Sequence, residues 1–236
     1  MIAMRPQVDV FWTDLDAAAS ALPRWQALLD GDETARAERF RFARERNRYI
    51  ASHGILRVLL GRTVDRAPAA LRFAIGPYGK PALSDGAAHF NLSHSHHLAL
   101  FAISRDIAVG CDIERHDERF LAENIPEHFF SPAEVAALNA LPPDERLAAF
   151  FAVWTRKEAY VKARGLGLAL RLDSFDVSLA PVAQPALYRG CDGWSARALD
   201  IAPDCAAAVI AQSRDWQIDA RPLDALALLD GSRAAA

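Results

Sequence analysis

The 236-residue sequence has few cysteines, and Cys111, Cys191 and Cys205 do not fall at metal-ligand spacing. An odd number of cysteines without such spacing predicts reduced thiols rather than a disulfide framework. No run of eighteen or more apolar residues is present, so the sequence predicts no membrane span. The beginning, MIAMRPQVDVFW, lacks the apolar core and cleavage site of a secretion signal. Together these absences predict a soluble protein of the cytoplasm.

A strong excess of positive charge is missing too. The net charge is -3, which argues against a nucleic-acid-binding protein because such proteins are normally basic. Hydrophobic residues make up 52% of the chain and charged residues 24%, a balance that supports a sizeable globular core. At this length, one large domain and two small domains both fit.

The first half of the chain carries strand and helix signals. The stretch VDVFWTDL alternates Val8, Val10 and Trp12 on one face, which is typical of a strand. A polar start at DGDET predicts a long helical segment that reaches about Gly61. Further along, GPYGKP contains two glycines and two prolines and predicts a loop of restricted shape.

Two apolar runs in the middle of the chain, LALFAI (98–103) and IAVGCDI (107–113), are separated by a short Ser-Arg-Asp connection. This pattern predicts a β-hairpin. Strand and helix material of similar kind lies on both sides of the connection. We therefore predict an N-terminal domain over 1–106 and a C-terminal domain over 107–236.

The second half begins with two predicted helices. Ser131 followed by Pro132, with Glu134 three residues after the serine, predicts a helix start with a capping box. The next segment, DERLAAFFAVWTRKEAYVKA, predicts a helix that ends at Gly165 and Gly167. Three strand-like runs follow it: SFDVSL, WSARAL and CAAAVIA.

Two carboxylates end the run IAVGCDIE. Side chains at i and i+2 of a strand point to the same face, so Asp112 and Glu114 should lie side by side. As an isolated pattern, this favours two solvent-facing charges. The functional interpretation is a site for a hard cation, Mg²⁺ or Mn²⁺, which prefers carboxylate oxygens and a phosphate partner.

A second pattern lies on the predicted helix. Trp154, Glu158 and Lys162 recur every four residues and therefore share one helix face. An ordinary Glu-to-Lys helix pair, worth ~0.2–0.5 kcal/mol, accounts for this spacing when it is taken alone. The functional interpretation makes Glu158 a metal ligand or general base and Lys162 a cation for phosphate.

Two further groups are open to both interpretations. Four histidines lie in HFNLSHSHHLAL: His89, His94, His96 and His97. His94 and His96 would share a strand face and suggest zinc, whereas Ser93 and His94 could instead hydrogen-bond an anion. Six arginines lie within thirteen residues: Arg36, Arg39, Arg41, Arg44, Arg46 and Arg48. They form either a solvated helix face or, in part, a phosphate site.

In this order the motifs resemble the 4′-phosphopantetheinyl transferases. The matching segments are GKP (79–81), FNLSHS (90–95), GCDIE (110–114) and WTRKEAYVKARGLGL (154–168). The resemblance covers roughly residues 30 to 215. It is to the larger, surfactin-synthetase-activating type, and WTRKEA is similar to that type's W/KEA branch.

The resemblance implies an α+β fold of two similar α/β subdomains that form a pseudo-dimer, with the active site in the cleft between them. The N-terminal subdomain would bind the coenzyme A nucleotide, and the C-terminal subdomain would carry the Mg²⁺ site and the catalytic helix. The implied enzyme is a monomer that transfers the 4′-phosphopantetheine arm of coenzyme A to a serine of an apo acyl or peptidyl carrier protein. Adenosine 3′,5′-bisphosphate would be the other product.

The resemblance also implies roles for particular residues. Asp112, Glu114 and Glu158 would hold Mg²⁺, or Mn²⁺ in its place, together with the coenzyme A diphosphate. Glu158, or a water that it orients, would take the proton from the carrier serine, and Lys162 would stabilise the phosphate charge.

The resemblance also implies the residues that would bind coenzyme A. From the matching segments these are Gly79, Lys80, Pro81, Ser93, His94 and Lys162, and outside them Arg36 and Arg48. The two arginines follow from aligning the Arg-Phe pair at 39–40, and the sequence departs from the family pattern at Glu33, where a basic residue is expected. Acidic carrier proteins would meet Arg115, His116 and Arg119.

Two other functions remain open on the sequence. One is a non-catalytic module that binds coenzyme A or a carrier protein without turnover. The other is a zinc-dependent hydrolase built on the histidine cluster, which would leave the three carboxylates without a role.

Overall fold

The computed structural model describes residues 5–179 and 189–231. The strands of this part are β1 (Gln7–Asp14), β2 (Phe73–Ile75), β3 (Pro81–Leu83), β4 (His89–Ser95), β5 (Leu98–Ser104), β6 (Val109–Arg115), β7 (Ser195–Leu199), β8 (Cys205–Ala211) and β9 (Gln217–Pro222). The α-helices are α1 (Leu15–Ala18), α2 (Leu22–Gln26), α3 (Gly31–Glu38), α4 (Ala43–Val64), α5 (Arg119–Ala122), α6 (Ile125–Phe129), α7 (Pro132–Asn139), α8 (Pro143–Arg164) and α9 (Ala225–Gly231). The predicted α+β class is thereby confirmed.

The first sheet has the strand order β4-β5-β1-β9. Strand β5 is antiparallel to both β4 and β1, whereas β9 runs parallel to β1. The alternation of Val8 and Val10 with polar residues correctly predicts β1, since both valines are fully buried. Helix α4 packs its apolar residues against one face of this sheet, where they join Phe101 and Ile103 of β5 in one core.

The second sheet has the order β6-β8-β7 and is antiparallel throughout. Helix α8 covers one of its faces, and α7 begins at the predicted cap, where Ser131 and Glu134 form a capping box. Gly165 ends α8 in the left-handed conformation, with φ 64°, as its position in the sequence predicts.

The predicted hairpin of residues 98–103 and 107–113 is wrong. Strands β5 and β6 belong to different sheets, and β5 forms its hairpin with the preceding β4 instead. The turn of that hairpin includes His96, whose φ of 54° puts it in the left-handed region. Two adjacent apolar runs satisfy the local hairpin pattern, but burial of β6 against β8 and α8 decides its partner.

Apolar side chains from the facing sides of the two sheets form a central layer. Its fully buried members include Val10, Leu100, Val109, Cys111 and Val209. The alternate residues of the same strands point outward to α4 or to α8. The order of layers is therefore helix, sheet, sheet, helix, and residues 110, 112 and 114 of β6 lie on the side away from the central layer.

Two other predictions need correction. The segment from DGDET to Gly61 is two helices, α3 and α4, separated by residues 39–42. SFDVSL is not a strand, since residues 172–174 form a 3-10 turn and Val177 makes only an isolated bridge.

The division at residue 106 and the pseudo-dimer remain predictions. Strand β9 and helix α9, from the end of the chain, pack with the first sheet and its core. Within the described ranges, no helix is both long enough and apolar enough to cross a membrane. Residues 1–4, the first part of the MIAMRPQVDVFW segment, lie outside those ranges.

The structure generates a prediction about acid stability at His53 on α4. Its ring stacks on Tyr49 with centroids 3.8 Å apart, and its Nδ1–H donates to the Tyr49 carbonyl oxygen at 3.0 Å. Burial lowers the pKa of His53 from 6.5 to about 4. The folded state therefore favours the neutral ring, and stability is lost as the pH falls from 6.5 towards 4.

We expect His53→Gln to remove the part of the pH dependence of the free energy of unfolding that comes from His53. That part is about 1–2 kcal/mol once the ring's partial exposure is allowed for. Urea unfolding of both proteins at several pH values between 7 and 4 measures it. Identical pH profiles for the two proteins would contradict the prediction.

Candidate active site

Strand β6 carries the two carboxylates that the sequence singles out. Asp112 is 1% exposed, whereas Glu114, nearer the strand end, is half-buried. Ile113 between them is fully buried in the central layer. The strand's alternation therefore puts both carboxylates on the α8 side, as predicted.

Gly110 lets α8 approach this face of β6 closely. A Cβ at this position would lie 2.2 Å from the Ala159 carbonyl oxygen and 2.4 Å from the Ala163 nitrogen. Both of those atoms are backbone, so the clash could not be relieved by a side-chain movement. The missing side chain thus brings Glu158 and Lys162 of α8 over the carboxylates of β6.

Asp112 makes the closest polar contacts of the site. Its Oδ1 accepts from Ser93 Oγ at 2.7 Å and from Lys162 Nζ at 2.6 Å. Lys162 Nζ also donates to Ser93 Oγ at 3.0 Å, which closes a triangle of three polar groups. Asp112 Oδ2 is buried and has no hydrogen-bond partner among the described residues.

Glu114 has a serine partner of its own. Ser95 Oγ donates to Glu114 Oε2 at 2.8 Å and accepts from the Arg115 backbone N–H at 3.1 Å. Sequence reasoning did not identify Ser95. The available signal is that Ser93 and Ser95 stand at i and i+2 on one strand, which matches the i and i+2 spacing of the carboxylates.

The carboxyl groups of this site outnumber the positive charges that could neutralise them. Burial, followed by the neighbouring Asp112, raises the pKa of Glu114 to about 7. The same two causes raise the pKa of Glu158 above its ordinary range. Burial alone would lower the pKa of Lys162, but the Asp112 carboxylate outweighs it, and the pKa is raised. One ammonium group therefore faces three carboxyl groups.

The donor set fits a hard divalent cation that shares its coordination with a ligand. Carboxylate oxygens are what Mg²⁺ prefers, and Asp112 Oδ2 is a buried oxygen without a partner. Among residues 5–179 and 189–231, no three His, Cys, Asp or Glu side chains are arranged to hold a metal ion by themselves. Oxygens from a bound phosphate would have to complete the shell.

A cleft of about 630 Å³ opens beside these groups. Five residues of the predicted site line it: Gly79, Lys80, Pro81, Glu158 and Lys162. Its other walls come from α6, through His128 and Phe129, and from the segment 170–173 after α8. The GKP loop and helix α8 are thus brought to one cavity.

Lys80 is used differently from the expectation of a phosphate contact. Its Nζ donates to the backbone carbonyl oxygens of Val109 at 3.0 Å and Ala163 at 3.1 Å. Burial lowers the pKa of Lys80 to about 8. In this arrangement Lys80 joins the GKP loop to the start of β6 and the end of α8, while a contact with coenzyme A stays a prediction.

His94 is close enough to Asp112 and Lys162 for their charges to affect its pKa, but in the part of the chain that the structure describes neither it nor the two arginines hydrogen-bonds to the site carboxylates. His94 alternates with Ser93 and so points to the opposite face of β4, towards α4. Arg48 of α4 makes a double hydrogen bond to Asp16 at 2.7 and 2.6 Å, which lowers the pKa of Asp16 to about 2. Arg36 of α3 lies over the Tyr49 ring, 5.8 Å from its centroid.

The zinc interpretation loses its geometric basis. His94 lies in β4, whereas His96 lies in the following turn, so the two do not share a strand face. Among the described residues, these histidines are not part of any group of three His, Cys, Asp or Glu side chains that could hold a metal ion.

A buried ion pair supports two walls of the cleft. Lys157 Nζ lies 2.8 Å from Glu134 Oε2 and donates to the carbonyl oxygens of Leu172 and Phe175, each at 2.7 Å. Glu134 accepts in turn from the Val177 backbone N–H at 2.8 Å. The lysine next to Glu158 in sequence thus ties α7 to the segment that follows α8.

Residues 108–217, which include β6 and α8, match a family model described as the 4′-phosphopantetheinyl transferase superfamily. The 4′-phosphopantetheinyl transferase HetI of Nostoc sp. strain PCC 7120 is 38% identical over 217 residues, covering 89% of this chain and 90% of the relative. The chain belongs to the 4′-phosphopantetheinyl transferase superfamily.

Two further relatives support this membership. A 4′-phosphopantetheinyl transferase of Bacillus subtilis is 32% identical over 171 residues, 71% of this chain and 74% of the relative. The 4′-phosphopantetheinyl transferase AcpT of Salmonella typhimurium is 43% identical over 124 residues, 52% of this chain and 62% of the relative. The predicted family and enzyme class are confirmed, and neither the zinc hydrolase nor the non-catalytic module is supported.

The Lys157–Glu134 pair generates a stability prediction. Lys157→Met would leave the Glu134 carboxylate buried without its cation, so we expect the free energy of unfolding to fall by about 3–5 kcal/mol. The matched control is Arg171→Met. It breaks the exposed pair with Asp173 and should cost less than about 1 kcal/mol.

Urea unfolding of the two variants and the parent protein measures both values. Equal losses for the buried and the exposed pair would show that Lys157 does not have the structural role described.

Proposed function

We propose that this chain transfers the 4′-phosphopantetheine arm of coenzyme A to a serine of an apo acyl or peptidyl carrier protein, with the reaction at Asp112, Glu114, Glu158 and Lys162. The observation that carries the proposal is a cleft lined by Glu158 and Lys162, with Lys162 bonded to the buried Asp112 of β6, in a member of the transferase family. The bond that forms joins the carrier serine Oγ to the phosphorus of the phosphopantetheine. The bond that breaks releases adenosine 3′,5′-bisphosphate.

Asp112, Glu114 and Glu158 are the residues that would hold Mg²⁺, or Mn²⁺ in its place. Two observations support this assignment: Asp112 Oδ2 is buried and unpartnered among the described residues, and the pKa values of both glutamates are raised, by burial and then by the Asp112 charge. When bound, the cation would neutralise charge on the diphosphate oxygens, which is the main requirement in phosphoryl transfer.

Glu158 would take the proton from the carrier serine, directly or through a water that it orients. Burial, followed by the charge of Asp112, raises its pKa, and a higher pKa makes the carboxylate a stronger base. Lys162, whose pKa the Asp112 carboxylate raises against the effect of burial, would stabilise the phosphate charge as an ammonium. Ser93, already a donor and an acceptor in this group, would bind a phosphate oxygen.

The nucleotide end of coenzyme A would lie along the GKP loop and reach towards α4. Gly79, Lys80 and Pro81 would contact it at the cleft, and His94, Arg36 and Arg48 would approach the 3′-phosphate. Arg48 is bonded to Asp16, so a phosphate there would have to share or replace that partner.

The carrier would approach over the segment after β6. Arg115 is bonded to Asp204 and Arg119 to Asp117, so a contact with an acidic carrier would compete with these pairs. We propose a monomer, because a single chain supplies every group named. A cytoplasmic setting is supported by the free thiols of Cys111, Cys191 and Cys205, and the net charge of -3 supports the absence of nucleic-acid partners.

The reaction predicts a defined product. An apo carrier incubated with this protein, coenzyme A and Mg²⁺ should gain the mass of one phosphopantetheine, measured by intact-protein mass spectrometry. EDTA should abolish the gain. Running one fatty-acid carrier and one peptidyl carrier ranks the two classes, and coenzyme A binding without a gain on either would contradict the proposed transfer.

Glu158→Gln should lower kcat for transfer by at least ~100-fold, because the variant loses a base and a metal ligand in a nearly isosteric change. The control is Glu145→Gln, an exposed glutamate in the first turn of the same helix. It should retain the parent rate. Circular dichroism confirms that both variants fold, and a Glu158→Gln enzyme with near-parent kcat would refute the assignment.

A further inference from the structure

The seam between β4 and β6 is built from side chains instead of a backbone ladder. These neighbouring strands belong to different sheets. Asn91 Oδ1 accepts from the Cys111 backbone N–H at 2.8 Å, and Ser95 Oγ accepts from the Arg115 backbone N–H at 3.1 Å. Alternate side chains of β4 thus satisfy β6 backbone groups, and each serine faces one carboxylate, Ser93 with Asp112 and Ser95 with Glu114.

The orientation of the Ser95 hydroxyl follows from its two shortest contacts, since the third, to His96 Nδ1, is 3.4 Å long. A backbone N–H can only donate, so the Arg115 contact uses a lone pair of Ser95 Oγ. The hydroxyl proton is then available for Glu114 Oε2, 2.8 Å away. Because Ser95 is 8% exposed, water has little access to compete for either contact.

This contact matters because Glu114 is held less firmly than Asp112. Asp112 is enclosed and is bonded to both Ser93 and Lys162, whereas Glu114 is half-buried near the strand end. The Ser95 hydroxyl directs one oxygen of Glu114 towards β4 and leaves the other for a ligand. Loss of a partner that orients a metal-binding carboxylate typically weakens metal binding 10- to 100-fold.

We propose that Ser95 is a positioning residue that orients Glu114 for the divalent cation, an inference that rests on the proposed function. Ser95 acts through the carboxylate and has no contact with substrate in this assignment. Its loss should therefore weaken binding of the cation, and change kcat at saturating cation much less.

The test is Mn²⁺ binding in the presence of coenzyme A, followed by the EPR signal of free Mn²⁺. Ser95→Ala should weaken Mn²⁺ binding 10- to 100-fold. Ser95→Cys, which fills the same space with a poorer hydrogen-bonding group, should also weaken it and provides the result if the alanine variant does not fold. Ser95→Thr keeps the hydroxyl and should bind nearly as the parent does.

The matched control is Ser104→Ala. Ser104 is another buried serine whose hydroxyl donates to a carbonyl oxygen, that of Gln7, and accepts from backbone N–H groups, without a carboxylate partner. It should bind Mn²⁺ as the parent does. A merely structural role for Ser95 would lower the melting temperature of the Ser95 and Ser104 variants alike without a selective change in Mn²⁺ binding.

A double variant that combines Ser95→Ala with Glu114→Ala tests whether Ser95 acts through Glu114. Adding Ser95→Ala to the Glu114→Ala variant should cause no further loss of Mn²⁺ binding, since its target is already gone. Parent-like Mn²⁺ binding by folded Ser95→Ala or Ser95→Cys would overturn the inference. A parent protein that binds no Mn²⁺ with coenzyme A would instead overturn the metal assignment itself.

Discussion

The buried carboxylate of Asp112 is the constraint on which the rest of the site depends. A charge with almost no exposure is costly unless a cation and hydrogen-bond donors satisfy it. Lys162 from α8 and Ser93 from β4 supply these, so one side chain of β6 draws together two other elements. Gly110 makes this meeting sterically feasible, because any larger residue would push α8 away from β6.

Lysine is used sparingly, and each lysine is buried or half-buried. The sequence contains only Lys80, Lys157 and Lys162, and the remaining cationic side chains are arginines. Each lysine ammonium donates to acceptors that lie outside the segment that carries the lysine. A compact ammonium with three donors fits between converging carbonyl and carboxylate oxygens, where a planar guanidinium would need more room. The three together hold the GKP loop, the wall after α8, and the carboxylates in register around the cleft.

The sequence was informative where local periodicity coincides with the tertiary role. The i and i+2 carboxylates of β6 and the four-residue stripe of α8 predict which faces Asp112 and Glu158 occupy. The hairpin prediction failed because turn patterns describe adjacent segments, whereas the partner of β6 is set by burial between β8 and α8. The i and i+2 spacing of Ser93 and Ser95 matches that of the carboxylates, but the role of Ser95 also requires β4 and β6 to lie side by side, which no local pattern encodes.

The balance of charge explains why a cation and coenzyme A would be expected to bind together. Three carboxyl groups face one ammonium, and Lys162 already holds Asp112 Oδ1. A divalent cation alone would meet that ammonium at short range in a partly buried site, where like charges repel strongly. A diphosphate arriving with the cation would offer Lys162 an anionic partner and would bring the oxygens that the carboxylates lack. The ammonium that donates to Asp112 in the free protein thus becomes, in the proposed complex, part of the phosphate site.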